Sequence, residues 1–96
     1  MRRLVPLVLL LALAGCAESS TDGATVYSSQ CSACHGATLQ GGVGPALDAS
    51  SPTATVDDDA IRTVIRNGAS GMPANTSLSD QQVDAVIEHI RQVQTR

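Results

Sequence analysis

Hydrophobic positions recur at helical spacing in three stretches of the chain, and nowhere do they alternate long enough to suggest a strand. The clearest stretch is SDQQVDAVIEHIRQVQ, residues 79–94. Val83, Val86, Ile87 and Ile90 form one continuous stripe there, and Ser79 and Gln82 have the spacing of a capping box. DDDAIRTVIRNG, residues 57–68, puts Ile61, Val64 and Ile65 on one face. Its aspartates Asp57–Asp59 read as a solvated capping turn that complements the helix dipole rather than as a metal site, and Gly68 suits the helix end. A shorter helix is expected from Gly23 to Cys34, with Asp22 as N-cap and Val26, Tyr27, Gln30 and Cys31 on neighbouring rows.

Between these stretches the pattern lapses. HGATLQGGVGPALDASSPT, residues 35–53, is rich in Gly, Pro and Ser and reads as a long irregular loop; ASGMPANTS, residues 69–77, reads as a second. A structureless loop of the first one's length needs a reason in a small domain, and wrapping a ligand is one. Composition strengthens that reading. The chain has no Trp, no Phe and a single aromatic, Tyr27, a thin supply of bulky side chains for a core. The expectation is an all-α domain in which about three main helices and two loops surround something other than protein.

The N-terminus belongs to a different category. MRRLVPLVLLLALAGC opens with Arg2 and Arg3 and continues with an apolar run from Leu4 to Ala14. That run falls short of the roughly 20 residues a membrane span needs, so it reads as an export signal. LAGC, Leu13 to Cys16, resembles the lipobox of bacterial lipoproteins, which implies cleavage before Cys16 and lipid on its sulfur. An ordinary signal peptide cut near Ala14 is the alternative. On the lipoprotein reading residues 1–15 are signal, residues 16–22 a flexible tether and residues 23–96 the folded domain. The six residues after Cys16 would span about 20 Å when extended, keeping the domain close to the membrane. Beyond the signal, four basic residues (Arg62, Arg66, Arg91, Arg96) face nine acidic ones, and there is no lysine. Nucleic acid is a poor partner for such a surface, and a protein with a basic docking face a better one.

One cluster carries the chemistry: CSACHG, residues 31–36. With Cys16 assigned to lipid, Cys31 and Cys34 are too few for a disulfide framework. A structural zinc site wants four protein ligands, and no second Cys or His pair accompanies this one. A thiol-redox C-x-x-C motif normally opens a helix on a strand-rich βαβ scaffold, which this chain lacks. C-x-x-C-H does suit covalent haem: two thiols one helical turn apart add to the two vinyl groups, and the adjacent imidazole of His35 coordinates the iron. A haem would also supply the bulk that the missing aromatics do not.

On these residues the chain, from Gly23 to Val93, resembles the class I c-type cytochromes, the small single-haem electron carriers. The resemblance implies one haem c held through Cys31 and Cys34, with His35 as one axial ligand. It also implies Met72, in the Met-Pro of the second loop, as the other. Pro45, in GVGPAL, is then the residue whose carbonyl fixes the His35 ring, and Leu47 a haem-contacting aliphatic. Gly23 and Tyr27 resemble the glycine and aromatic at which the first helix crosses the last. His89 stands where that last helix often carries an aromatic. It lies off the apolar stripe, which makes it a flank residue rather than a rival iron ligand.

The function expected from the resemblance is one-electron transfer between redox proteins on the outer face of a bacterial membrane, without enzymatic chemistry. The domain would be exported, lipid-anchored through Cys16 and turned to the periplasm or cell exterior, as a monomer or as a subunit of a respiratory complex. Two alternatives stay open: the haem subunit of a larger dehydrogenase or oxidase, and a haem ligand sensor or small peroxidase, the latter requiring that Met72 not hold the iron.

Overall fold

The computed structural model describes residues 20–96. Residues 1–15, read above as a signal peptide, Cys16 and the first part of the expected tether therefore lie outside the described residues. Four α-helices follow in order: α1 (Gly23–Gln30), α2 (Ser32–His35), α3 (Asp58–Asn67) and α4 (Asp80–Gln94), with a 3-10 turn over Pro52–Thr55 before α3. Among the described residues the one β-type pairing is an isolated bridge between Ala69 and Met72, so the domain is all-α, as expected. No helix of the described residues is long and apolar enough to cross a membrane.

Local chemistry explains most boundaries. Asp22 caps α1, its carboxylate accepting from the Thr25 amide at 3.2 Å and the Thr25 hydroxyl at 2.6 Å. Asp57 caps α3 through the Ala60 amide, and Gly68 ends that helix with φ 79°. At α4 the capping box is complete: Gln82 N donates to the Ser79 hydroxyl and Ser79 N to Gln82 Oε1. One boundary differs from the pattern. The expected helix over Gly23–Cys34 breaks at Cys31 (φ −123°, ψ −32°), and α2 starts afresh at Ser32. The break redirects the chain so that Cys31, Cys34 and His35 share one turn, with the His35 and Cys34 amides both donating to the Cys31 carbonyl.

The core lies mainly between α1 and α4. Val26, Tyr27, Val83, Val86, Ile87 and Ile90 are buried there, each side chain contributing about 1.5–3 kcal/mol through lost apolar exposure. At the crossing a Cβ on Gly23 would stand 2.0 Å from the Ala85 carbonyl oxygen, so only glycine allows this approach. The Tyr27 ring meets the His89 ring at a centroid distance of 5.3 Å. Gln82, itself buried, donates to the Ser20 carbonyl and ties the start of the described chain to α4.

α3 packs more lightly. Ile61 and Ile65 are buried but Val64, on the same predicted face, is 40 % exposed. Polar bonds reinforce this contact: Arg62 pairs with Asp84, Arg66 with Asp80 and with the Leu78 carbonyl, and Arg91 with Asp58.

Candidate functional site

Val64 is exposed because α3 borders a hollow. A cavity of about 430 Å³ opens between α2, the two long loops, α3 and the inner face of α4. Cys31, Cys34, His35 and Met72, from distant parts of the sequence, all line it, as do Pro45 and Leu47. The remaining side chains around it are almost wholly apolar, among them Val43, Val56, Ile61, Ile65, Val86 and Ile90; Thr53 and Ser70 contribute the other hydroxyls.

His35 is held on both sides. It is buried, and its Nδ1 lies 2.8 Å from the Pro45 carbonyl oxygen. A carbonyl can only accept, so Nδ1 carries the proton, and Nε2 keeps its lone pair for a metal. Gly44 lies flat against the ring: a Cβ there would come within 3.1 Å of Cε1 and 3.2 Å of Nδ1. The loop is drawn back onto α2 by backbone bonds from Gly41 N to the His35 carbonyl and from Gly44 N to the Cys34 carbonyl, both 2.7 Å. Sequence reasoning missed the role of Gly44, although the GGVG run marked a place where backbone could approach closely.

The two cysteines are free thiols in different settings. Cys34 is exposed, whereas Cys31 is partly buried against the core. Burial first, and the neighbouring Cys34 second, push the Cys31 thiol up to about 11, so it is neutral at physiological pH and compatible with an apolar guest. Among the described residues no group of three or more His, Cys, Asp and Glu side chains is gathered for a bare metal ion.

Met72 is carried by a turn closed at its base. Ala69 N donates to the Met72 carbonyl and Met72 N to the Ala69 carbonyl, at 3.0 and 2.9 Å. Farther along, Asn75 N reaches the Ile65 carbonyl at 2.8 Å, and the Asn75 side chain accepts from the Ser77 and Leu78 amides. The Met72 side chain packs against the core from this loop.

Two further contacts shape the same region, one of them at Leu39, a residue unremarked in the sequence. Leu39 is completely buried yet has φ 63°, a left-handed conformation costing about 1–2 kcal/mol that its burial offsets. The Tyr27 hydroxyl donates to the Gly36 carbonyl at 2.7 Å, fastening the end of CSACHG to α1. His89 takes no part in the cavity. It lines a separate cleft of about 210 Å³ with Asp22 and Glu88, which shares no residue with the larger one.

The donor set fits a haem. Two thiols, an imidazole with its lone pair on Nε2 and a thioether meet in a volume whose other walls are apolar apart from Thr53 and Ser70 and carry no charged side chain. A porphyrin needs such a lining, and a hydrated ion does not. A family model described as cytochrome c oxidase, cbb3-type, subunit III matches residues 18–90, the greater part of the chain. No curated protein matches it.

Proposed function

The chain belongs to that family of c-type cytochrome domains, which are haem electron carriers, and on this premise we propose that it is a monohaem carrier tethered by lipid to the outer face of a bacterial membrane. The observation that carries the haem assignment is the single cavity shared by Cys31, Cys34, His35 and Met72. When bound, the haem supplies a one-electron ferric–ferrous couple.

In this reading the chain's own residues bind, orient and shield. Cys31 and Cys34, one turn apart, would hold the haem through thioether bonds. His35 offers Nε2 because the Pro45 carbonyl holds its other nitrogen protonated. Met72 would provide a soft, neutral second donor that favours the reduced state, and its closed turn holds the backbone from which the thioether reaches the cavity. Leu47, Ile61, Ile65 and Val86 exclude water from the site. No substrate bond is made or broken, so the protein is not an enzyme on this reading.

Charge supports the class of partner. Arg62, Arg66 and Arg91 are each engaged in ion pairs within the domain, so they do little to offset the remaining acidic surface for an approaching protein. Electron exchange with a partner of basic docking face should slow as salt rises; rates flat between low and physiological salt would sink that assignment. Export and the lipid on Cys16 rest on the N-terminal pattern. Cys16→Ser should release the protein from membranes or stall its processing, and unchanged retention would remove the anchor.

The primary test is the visible spectrum of the reduced protein with and without carbon monoxide. Sharp c-type bands indifferent to the gas are expected. Bands that shift would mean Met72 does not hold its position, and would favour ligand sensing or peroxidase chemistry. A second reading, a dedicated haem subunit of a larger oxidase, is favoured by the family's own description. Extraction in mild detergent decides: co-purification with a large complex supports the subunit, and a lone small species the free carrier.

A further inference from the structure

The cavity wall formed by residues 47–56 is held only lightly by its own side chains: Leu47 packs partly against the core and Ser51 is buried, but little else is. Between Leu39 and Ile61 no apolar side chain is buried, yet Leu47, Thr53 and Val56 all line the cavity. Such a segment, with little apolar burial, should open readily unless something else restrains it. Apart from the Leu47 amide, which donates to the Leu39 carbonyl at 2.9 Å, the restraint comes from the last turns of α4. Gln94 Nε2 donates to the Leu47 carbonyl at 3.0 Å, and Arg91 donates through Nη1 to the Thr53 carbonyl at 3.0 Å and through Nη2 to the Val56 carbonyl. The same guanidinium binds Asp58 through Nε at 2.8 Å and Gln94 Oε1 through Nη1 at 2.8 Å. Two side chains three residues apart thus take hold of the backbone of all three wall residues.

Arg91 differs in this from the other arginines packed at the α3–α4 contact. Arg62 meets only carboxylates, and Arg66 meets Asp80 and a carbonyl at Leu78, which does not line the cavity. The charge of Arg91 is matched by Asp58, so the distinctive part of its contribution is the rigid fork that reaches several acceptors together.

We propose that Arg91, assisted by Gln94, is a positioning residue for the haem site: it holds the 47–56 wall closed against water and thereby keeps the reduction potential high. The proposal rests on the haem reading above. Its physical basis is that the oxidised iron carries one more positive charge than the reduced, so water admitted through a loosened wall favours the oxidised state. A lysine at position 91 would keep the charge but lacks the planar fork needed to satisfy both carbonyls and Asp58.

The test uses the haem-loaded, full chain with Arg91→Lys, Arg91→Gln and Gln94→Ala. Its readouts are the visible spectrum, the equilibrium reduction potential and hydrogen exchange of the 47–56 amides. Both Arg91 variants should lower the potential by similar amounts. Both should also speed exchange in that segment by about ten- to a hundredfold, as the loss of one or two charge-assisted bonds implies, while α1 amides stay protected. Gln94→Ala should shift both readouts in the same direction by less. An unmoved potential in both Arg91 variants would overturn the proposal, and so would full rescue by lysine, which would assign the effect to charge alone. If the Arg91 variants do not fold, Gln94→Ala decides by itself: a fall in potential with faster 47–56 exchange supports the wall, and an unchanged potential overturns it. Absence of haem bands from the unsubstituted chain would overturn the haem reading and this proposal together, whereas intact bands with an unmoved potential overturn this proposal alone.

Discussion

At the crossing of α1 and α4, two backbones approach until a Cβ on Gly23 would strike the Ala85 carbonyl, and Val26, Tyr27, Val83 and Val86 are each no more than 1 % exposed. Across the cavity, residues 40–56 and the Met72 loop have no fully buried apolar side chain, only Leu47 and Met72 packing partly against the core, and are fastened by backbone bonds, by Asn75 and by the side chains of Arg91 and Gln94. The first region is complete as protein. The second is a shell whose apolar inner surface faces a volume of about 430 Å³. A small domain with one aromatic residue has too little of its own to fill both, and the contrast marks the volume that the proposed haem would fill in place of side chains.

That contrast can be broken most severely by withholding the haem. In a chain with Cys31→Ser and Cys34→Ser, amides of residues 42–56 and 69–77 should exchange nearly as fast as in an unfolded chain while α1 and α4 keep measurable protection. Uniform protection in both regions would mean the shell stands without its guest. Next in size is Gly23→Ala, which should cost about 4 kcal/mol or more in chemical denaturation, because a backbone carbonyl 2.0 Å from the new Cβ can be relieved only by separating the helices. A cost below about 1 kcal/mol would show the crossing to be looser than its geometry.

Paired truncations sharpen the comparison further. Ile87→Ala, in the filled region, should cost about 3 kcal/mol, whereas Val43→Ala, 92 % exposed at the cavity rim, should change stability by no more than about 0.5 kcal/mol. Equal costs would erase the distinction. A more modest loss than that of Ile87→Ala belongs to Tyr27, whose hydroxyl bridges the two regions by donating to Gly36. Tyr27→Phe should cost about 1 kcal/mol at neutral pH. Burial, with a smaller contribution from Cys31, pushes the Tyr27 hydroxyl up to about 12 from its ordinary 10.0. An acid whose pKa is raised by folding favours the protonated folded state, so its contribution is complete below pH 10 and declines as pH rises towards 12. Unfolding measured across that window should show a decline in the native protein that is reduced in Tyr27→Phe.

Much of the helical framework was legible before any coordinates. The α4 stripe, its capping box, the Asp22 and Asp57 caps and the Gly68 terminus all depend on residues within a turn or two of each other, and all are present. The CSACHG cluster was equally legible, because thiols one turn apart and an adjacent imidazole are a local pattern. The break at Cys31 was not, since Val26–Cys31 and Ser32–His35 carry no Pro or Gly to mark it. Nor was the exposure of Val64, which follows the apolar period of α3 and yet faces a hollow.

The chain order alone therefore settled which segments become helices, where they start, and which residue types stand ready to bind an apolar, iron-bearing guest; such properties arise from neighbours a few positions apart. The Pro45 carbonyl on His35 and the crossing at Gly23 are expected from the family resemblance rather than from any local pattern. Tertiary packing realises them and decides that Gly23 meets Ala85 and that Arg91 reaches back to Thr53 and Val56. The latter two contacts join residues dozens of positions apart, and even the short span from His35 to Pro45 depends on how its loop closes. Each exists only because the helices cross at one angle and the loops close over one side of the result, a geometry that no local period encodes.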